Sequence, residues 1–352
     1  RLRRSPPAPP QARQGFLICR ANFHPTRQPD SNTAMKKTAL IPALAAAFTL
    51  AIQPAAQADT FGTSGNEFTI DFVNIGNAGN AADTTTYGAV PYEYRVGKYE
   101  ISQNDITKAT ASGMANVTAG AWTGNRPAAN ISWYEAAAFV NFLNMSSGYK
   151  TAYDLTFSSD SGIWSMTLWS SADAWQLGGE NLYRHKDSEY FLTSENEWYK
   201  AAYYNPAGSN YFLYPTASDS APTAVASGSD AGTAVYDQPL EQGPAGVDVA
   251  GALSSYGTMG QGGNVLEWTE SAFNGVNNLP SGDRALRGGY WSSVGFPLRS
   301  SARDFYDPPI EFDNIGFRVA SVPEPSTYAL LALALTAFGA HLLRRRWRGK
   351  VS

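Results

Sequence analysis

An α+β fold of short twisted strands, two main helices and long loops is predicted by three features of this chain. Two segments alternate apolar and polar side chains with period two. Two Ser-x-x-Glu boxes each open an apolar helical face, and residues 205–262 are mostly Gly, Ser, Ala, Asp and Pro. In chain order, residues 68–73 (Phe-Thr-Ile-Asp-Phe-Val) and 92–101 (Tyr-Glu-Tyr-Arg-Val-Gly-Lys-Tyr-Glu-Ile) read as half-buried strands, because successive strand side chains point to opposite faces. A Gly/Ala/Thr-rich loop joins them. The first helix opens at Ser132, whose hydroxyl, with the Glu135 carboxylate, can satisfy two free backbone N–H groups. Ala136, Phe139, Val140 and Leu143 then share one face, and Gly148 can end the helix. Ser194 and Glu197 repeat the box, Trp198, Ala201 and Ala202 follow on one face, and Asn205-Pro206 is the stop. The turn-rich 205–262 segment predicts long irregular loops. So much loop in one compact body points to ion stabilisation or a binding surface.

The ends read as addresses. Residues 1–34 are a Pro/Arg/Gln-rich run without apolar periodicity, expected to be a mis-called leader. Residues 35–58 have the form of a secretory signal peptide. Met35, Lys36 and Lys37 form its basic start, 39–52 its apolar run and Ala56-Gln57-Ala58 its cleavage site, leaving Asp59 as the first mature residue. In residues 322–352, Val322-Pro323-Glu324-Pro325 precedes an apolar run at 328–343 and the basic cluster Arg344-Arg345-Arg346-Trp347-Arg348. As a helix that run is about 24 Å long at about 1.5 Å per residue, a short transmembrane segment against a hydrocarbon core of about 30 Å. The arginines would stay cytoplasmic. This order resembles the PEP-CTERM sorting signal. The resemblance implies a Gram-negative exporter, transient anchoring in the inner membrane, exosortase processing, and delivery to the cell surface or extracellular matrix.

Between residues 59 and 322 the chain has 13 Lys and Arg against 28 Asp and Glu, a net −15 where the whole chain has −4. Such an acidic body argues against nucleic acid or an anionic membrane surface as partner and is compatible with cation binding. Cys19, the only cysteine, lies in the leader, so the mature chain has no disulfide.

Six blocks extend the reading: Val96-Gly97-Lys98-Tyr99-Glu100-Ile101-Ser102; Asn130-Ile131-Ser132-Trp133-Tyr134-Glu135-Ala136-Ala137; Phe191-Leu192-Thr193-Ser194-Glu195-Asn196-Glu197-Trp198; Gly262-Gly263-Asn264-Val265-Leu266-Glu267-Trp268-Thr269; Arg287-Gly288-Gly289-Tyr290-Trp291; and Ile315-Gly316-Phe317-Arg318-Val319. In this order they resemble the formylglycine-generating enzyme, or sulfatase-modifying factor, family. The resemblance implies a C-type-lectin-like fold over residues 59–321, with a first strand and following helix at 96–102 onward. It also implies a calcium loop in which the carbonyls of Gly262, Gly263 and Val265 and the carboxylate of Glu267 are ligands. A hard cation suits such oxygens, and glycines let the carbonyls turn inward. The alternative is that Asn264 and Glu267 satisfy buried backbone groups while Trp268 packs in the core.

The oxidising members of the family carry two cysteines after the Gly-Gly pair; here Ser292 and Ser293 stand in that segment. Copper(I) oxidation needs soft thiolates, so no copper is expected. His185, between Arg184 and Lys186, reads as a solvated loop histidine, and no Ser/His/Asp set is selected by spacing. Arg287, Arg303 and Arg318 read as structural forks onto carboxylates or carbonyls. No catalytic or cofactor-binding residue is assigned. The expected function is a non-oxidising binding or structural module of the cell surface or matrix. It would engage an exopolysaccharide, another glycan or a surface protein through loops near 160–180 and 270–310. The alternative is an enzyme of unknown reaction in the family cleft. An exposed aromatic platform favours binding, whereas a pocket joining a serine, an acid and His185 favours catalysis.

Overall fold

The structure, a computed structural model, describes residues 57–322. The leader, almost all of the signal peptide, the apolar run 328–343 and the arginine cluster lie outside those residues. Among the described residues no helix is long and apolar enough to cross a membrane.

The first sheet begins with β1 (Gln57–Phe61), β2 (Phe68–Ile75) and β3 (Tyr94–Gly97). In β2, Phe68, Ile70 and Phe72 are buried while Thr69 and Asp71 are exposed, which is the predicted alternation. The second expected strand is cut to Tyr94–Gly97 because the chain turns away after Gly97. Ile101 N–H donates to Phe317 O at 3.0 Å, and Ser102 becomes the N-cap of α1 (Gln103–Ala111). This third helix, implied only by resemblance, is capped by Ser102 and Asp105 as the other two are by their own boxes. The central helix is α2 (Trp133–Ser146), capped by Ser132 and Glu135, with Gly148 beyond its end at φ +81°. The predicted apolar face is there, but the helix is enclosed on nearly every side. Only Met145 and Ser146 of its residues are exposed.

Two hairpins follow. β4 (Asp154–Ser158) pairs with β5 (Ile163–Thr167), and β6 (Ala174–Trp175) with β7 (Asn181–His185). β8 (Tyr190–Leu192) leads into α3 (Glu195–Tyr203), which starts at the second predicted box. The turn-rich segment contains little regular structure. β9 (Tyr204–Asn205) pairs with β10 (Asn210–Tyr211), β11 (Thr223–Ala224) with β12 (Thr233–Ala234), and two 3-10 turns follow. The closing strands are β13 (Leu266–Ala272), β14 (Arg284–Arg287), β15 (Asp304–Tyr306), β16 (Ile315–Phe317) and β17 (Val319–Ser321).

One antiparallel sheet runs β1-β2-β3-β17-β8 and a second runs β15-β14-β13-β16, with β13 and β16 parallel. β16 and β17 are separated by Arg318 alone, so one short segment ties the two sheets together. Phe317 of β16 packs edge-on to Phe139 of α2 at 5.6 Å. Trp133, Trp198, Trp268 and Trp291 are fully buried. Each indole N–H finds an acceptor: Thr269 O, Glu267 Oε2, Ile131 O and Leu240 O at 3.0, 2.7, 3.0 and 3.1 Å. Burying these rings therefore leaves no polar group stranded.

Candidate functional site

Three elements converge where the loops of the 170s and 270s meet. The β6–β7 hairpin turns through Gly178 and Gly179 at φ +84° and +118°, a region open to glycine. That turn brings Arg184 of β7 under α3 and β13. Its Nη1 and Nη2 donate to Glu197 Oε1 and Oε2 at 3.1 and 3.0 Å. Its Nε and Nη2 donate to Glu270 at 3.0 and 2.6 Å. All three side chains are essentially unexposed. Glu197 also accepts from Ser194 N–H at 2.6 Å and from Tyr92 Oη at 2.6 Å, so the residue that caps α3 also anchors the arginine. Glu270 takes Asn181 Nδ2 at 2.7 Å and Tyr153 Oη at 3.0 Å. Burial pushes both carboxyls up. In Glu197 the adjacent guanidinium outweighs burial and the net direction is down, whereas in Glu270 burial wins and the net direction is up. Burial, reinforced by Glu197, holds the Tyr92 hydroxyl well above its ordinary range.

Above this floor is a cleft of about 250 Å³, walled by the Gly178-Gly179-Glu180 turn, the Gly275-Val276-Asn277 loop and the start of α3. Three polar groups at its edge have a fixed acceptor side. Asn196 Oδ1 accepts from Gly88 N–H at 3.0 Å, Ser271 Oγ from Glu195 N–H at 2.9 Å and Ser194 Oγ from Glu197 N–H at 3.3 Å. Asn277 bridges the walls, donating to Asn181 Oδ1 at 2.8 Å and accepting from Ala272 N–H at 2.8 Å. Trp175 is only 8% exposed, so no exposed tryptophan platform forms here; the mouth is flanked instead by Leu177 and Val276, both about half exposed.

The expected calcium loop is bound up in protein contacts. Glu267 Oε1 accepts from Arg318 Nη2 at 2.5 Å, and Oε2 accepts from Arg318 Nε and Trp198 Nε1 at 2.6 and 2.7 Å. Gly263 N–H donates to Gly288 O at 2.8 Å, and Gly263 sits so close to Val235 O that any side chain would collide. Asn264 donates to Glu100 Oε2 at 2.6 Å. Both carboxylate oxygens of Glu267 thus accept hydrogen bonds, from a guanidinium and an indole, beside Gly262, Gly263 and Val265 of the expected ligand set. Arg318 supplies the positive charge there. Glu100, beside it, has one carboxylate oxygen without a partner, and burial, reinforced by Glu267, pushes its carboxyl well up.

Ser293 sits in the segment where the oxidising relatives carry cysteines and closes a tight turn. Its Oγ accepts from Tyr290 N–H at 3.0 Å and donates to Tyr290 O at 2.7 Å. Ser292, beside it, is half-buried. Arg287 and Arg303 both grip Glu195, through Nε at 2.8 and 2.6 Å. With Arg318 on Glu267, all three arginines are structural forks, as expected. His185 is the correction. It is the buried last residue of β7, stacked edge-on against Trp169 at 4.6 Å, with Nδ1 accepting from Asp187 N–H at 3.1 Å. Burial lowers its affinity for a proton. Strand pairing with Ala174, invisible in the charged local sequence, puts it inside, away from the cleft. Arg184, Asn181 and Glu270 were not signalled by the sequence. The expected loops near 160–180 and 270–310 marked the walls, but of the floor residues only Glu197 was marked, through its capping box.

The family model described as sulfatase-modifying factor enzyme 1-like domain matches residues 35–322, and that of the PEP-CTERM protein-sorting motif matches residues 321–346. No curated protein matches the chain. Among solved structures, Treponema denticola variable protein 1 superposes with a TM-score of 0.52 at 21% identity, covering 77% of this chain and 100% of that one. CarF gives a TM-score of 0.47 at 19% identity over 72% and 98% of the two chains. PvdO from Pseudomonas aeruginosa gives 0.46 at 14% over 75% and 97%. The first of these likenesses speaks to fold alone, and the fold is the C-type-lectin-like one that the sequence blocks imply.

Proposed function

The chain belongs to the family of sulfatase-modifying factor enzyme 1-like domains, and from that premise we propose that it is a non-oxidising surface protein that binds a glycan or protein through the 170s/270s cleft. The sorting motif at residues 321–346 directs it to export, membrane-anchored sorting and exosortase processing. One observation supports binding over turnover: every ionisable group on the cleft floor is tied to another. Arg184 holds Glu197 and Glu270, and Tyr92 donates to Glu197. A general acid or base must be within reach of the proton it moves, and these carboxylates lie fully buried behind the arginine. An enzyme using this cleft would have to break that cluster first. Ser293, whose hydroxyl is spent within its own turn, offers no soft ligand for copper(I).

The test has two arms. The purified full chain, given copper, reductant, oxygen and a sulfatase-type cysteine peptide, forms no aldehyde. The labelled chain adheres to cells lacking it, and Val276→Trp, which crowds the cleft mouth, abolishes adhesion. Aldehyde from the unmodified protein overturns the non-oxidising reading; adhesion indifferent to Val276→Trp overturns the role of the cleft.

A further inference from the structure

Resting on the reading of the cleft as a binding site, we infer that its ligand is an uncharged, hydroxyl-rich sugar ring. The edge of the cleft is a set of pre-oriented donors. Each of Asn196, Ser271 and Ser194 is held by a backbone N–H on its oxygen and keeps a donor that can turn to the cleft, the amide NH2 of Asn196 and the two hydroxyl protons. Donors held in place in this way lose little freedom on binding and suit the hydroxyl, ring or acetamido oxygens of a sugar.

Charge narrows the class. Arg184 lines the cleft but is consumed by two glutamates, and Glu180 stands exposed on the rim. An anionic sugar or phosphate would meet donors without a free cation and with a net negative surround, so its desolvation would go uncompensated. A cationic ligand would find one accessible carboxylate, Glu180, because Glu197 and Glu270 are unexposed. A purely apolar ligand would strip water from the Asn and Ser groups and return nothing. A pyranose has the required mixture: polar edges for the donors and apolar C–H faces for the half-exposed Leu177 and Val276. The cleft of about 250 Å³ has room for one ring, and Gly179 and Gly275 leave open space where side chains would otherwise stand.

Calorimetric titration of the full chain in detergent tests this with neutral hexose and N-acetylhexosamine oligosaccharides, with alginate oligosaccharides and with peptides. A neutral oligosaccharide binds with Kd below about 1 mM. Asn196→Asp keeps the acceptor for Gly88 N–H but removes the free donor and adds negative charge. It weakens binding about tenfold or more with the melting temperature unchanged. Alginate binding as tightly, and still weakened by Asn196→Asp, overturns the uncharged class while leaving the cleft as a binding site. Neutral sugar binding that ignores Asn196→Asp overturns the site. A peptide bound in place of any sugar, with cell adhesion still lost in Val276→Trp, overturns the sugar and leaves the binding module standing. No binding together with cleft-independent adhesion overturns both.

Discussion

Arg318 meets Glu267 through Nε and Nη2 and directs its other hydrogens to Gly97 O and Met259 O, at 2.9 Å each, and Lys98 O at 3.4 Å. Neither side chain has any exposure. Truncating one partner of such a pair strands a buried charge, so Arg318→Met should cost about 3–5 kcal/mol, read as a fall in the urea midpoint. The same geometry bears on the ion. A ligand bound only by the folded state raises stability by RT ln(1 + [L]/Kd), about 2.7 kcal/mol at a hundredfold excess over Kd. If the Arg318 guanidinium stands in for a cation at Glu267, chelator should leave the melting temperature where it is; a fall reversed by added calcium would return Glu267 to the ligand set. The sequence shows Glu267 as a motif residue with two possible roles. It cannot choose between them, because the deciding partner is 51 positions away.

At the scale of the element, α3 shows what local sequence does and does not carry. Its N-terminus was legible because Ser194 and Glu197 interact three residues apart, whatever surrounds them. The environment of Lys200, within the same helix, was not. Lys200 is fully buried, donates to Asn77 O at 3.0 Å and lies near the rings of Tyr94 and Tyr204, with no carboxylate at ion-pair distance among the described residues. Burial lowers its pKa from 10.5 to about 8. Between these values the folded state gives up a proton that the unfolded chain keeps, so stability rises with pH across that window. Below about 8 the cost of burying the charge is fully present. Lys200→Met should therefore be more stable than the parent at about pH 7, and the gap should close as pH approaches about 10.5. Urea midpoints taken across that range check it; a gap constant with pH would mean that Lys200 stays charged when folded. The helix period was readable; the neighbours that cover it come from residues 77 and 94, which only the tertiary fold brings near.

For the whole molecule, both ends of the described chain enter one sheet, β1 at one edge and β17 between β3 and β8. The order of blocks made this body recognisable, whereas the cleft floor was not, since Arg184, Glu197 and Glu270 join through three elements with no shared motif. The proposed cleavage site can be weighed on the same geometry. Gln57 and Ala58 are exposed, but Asp59 accepts from Arg95 Nη1 and Nη2 at 3.1 and 2.7 Å and from Tyr190 Oη at 2.9 Å. Arg95 is 5% exposed and its other acidic contact, Glu189, is longer at 3.4 Å. Cutting before Asp59 preserves this anchor. Cutting after it leaves a buried guanidinium short of its main partner, at a cost of about 1–3 kcal/mol. Protein released from the surface should therefore begin at Asp59 and, after exosortase processing, lack the Arg344–Arg348 cluster. Its net charge would move from −4 towards −15, so it should bind an anion exchanger more tightly than the precursor. Intact-mass analysis of released protein decides both ends: residues upstream of Asp59 would overturn the first cut, and a retained arginine cluster the second.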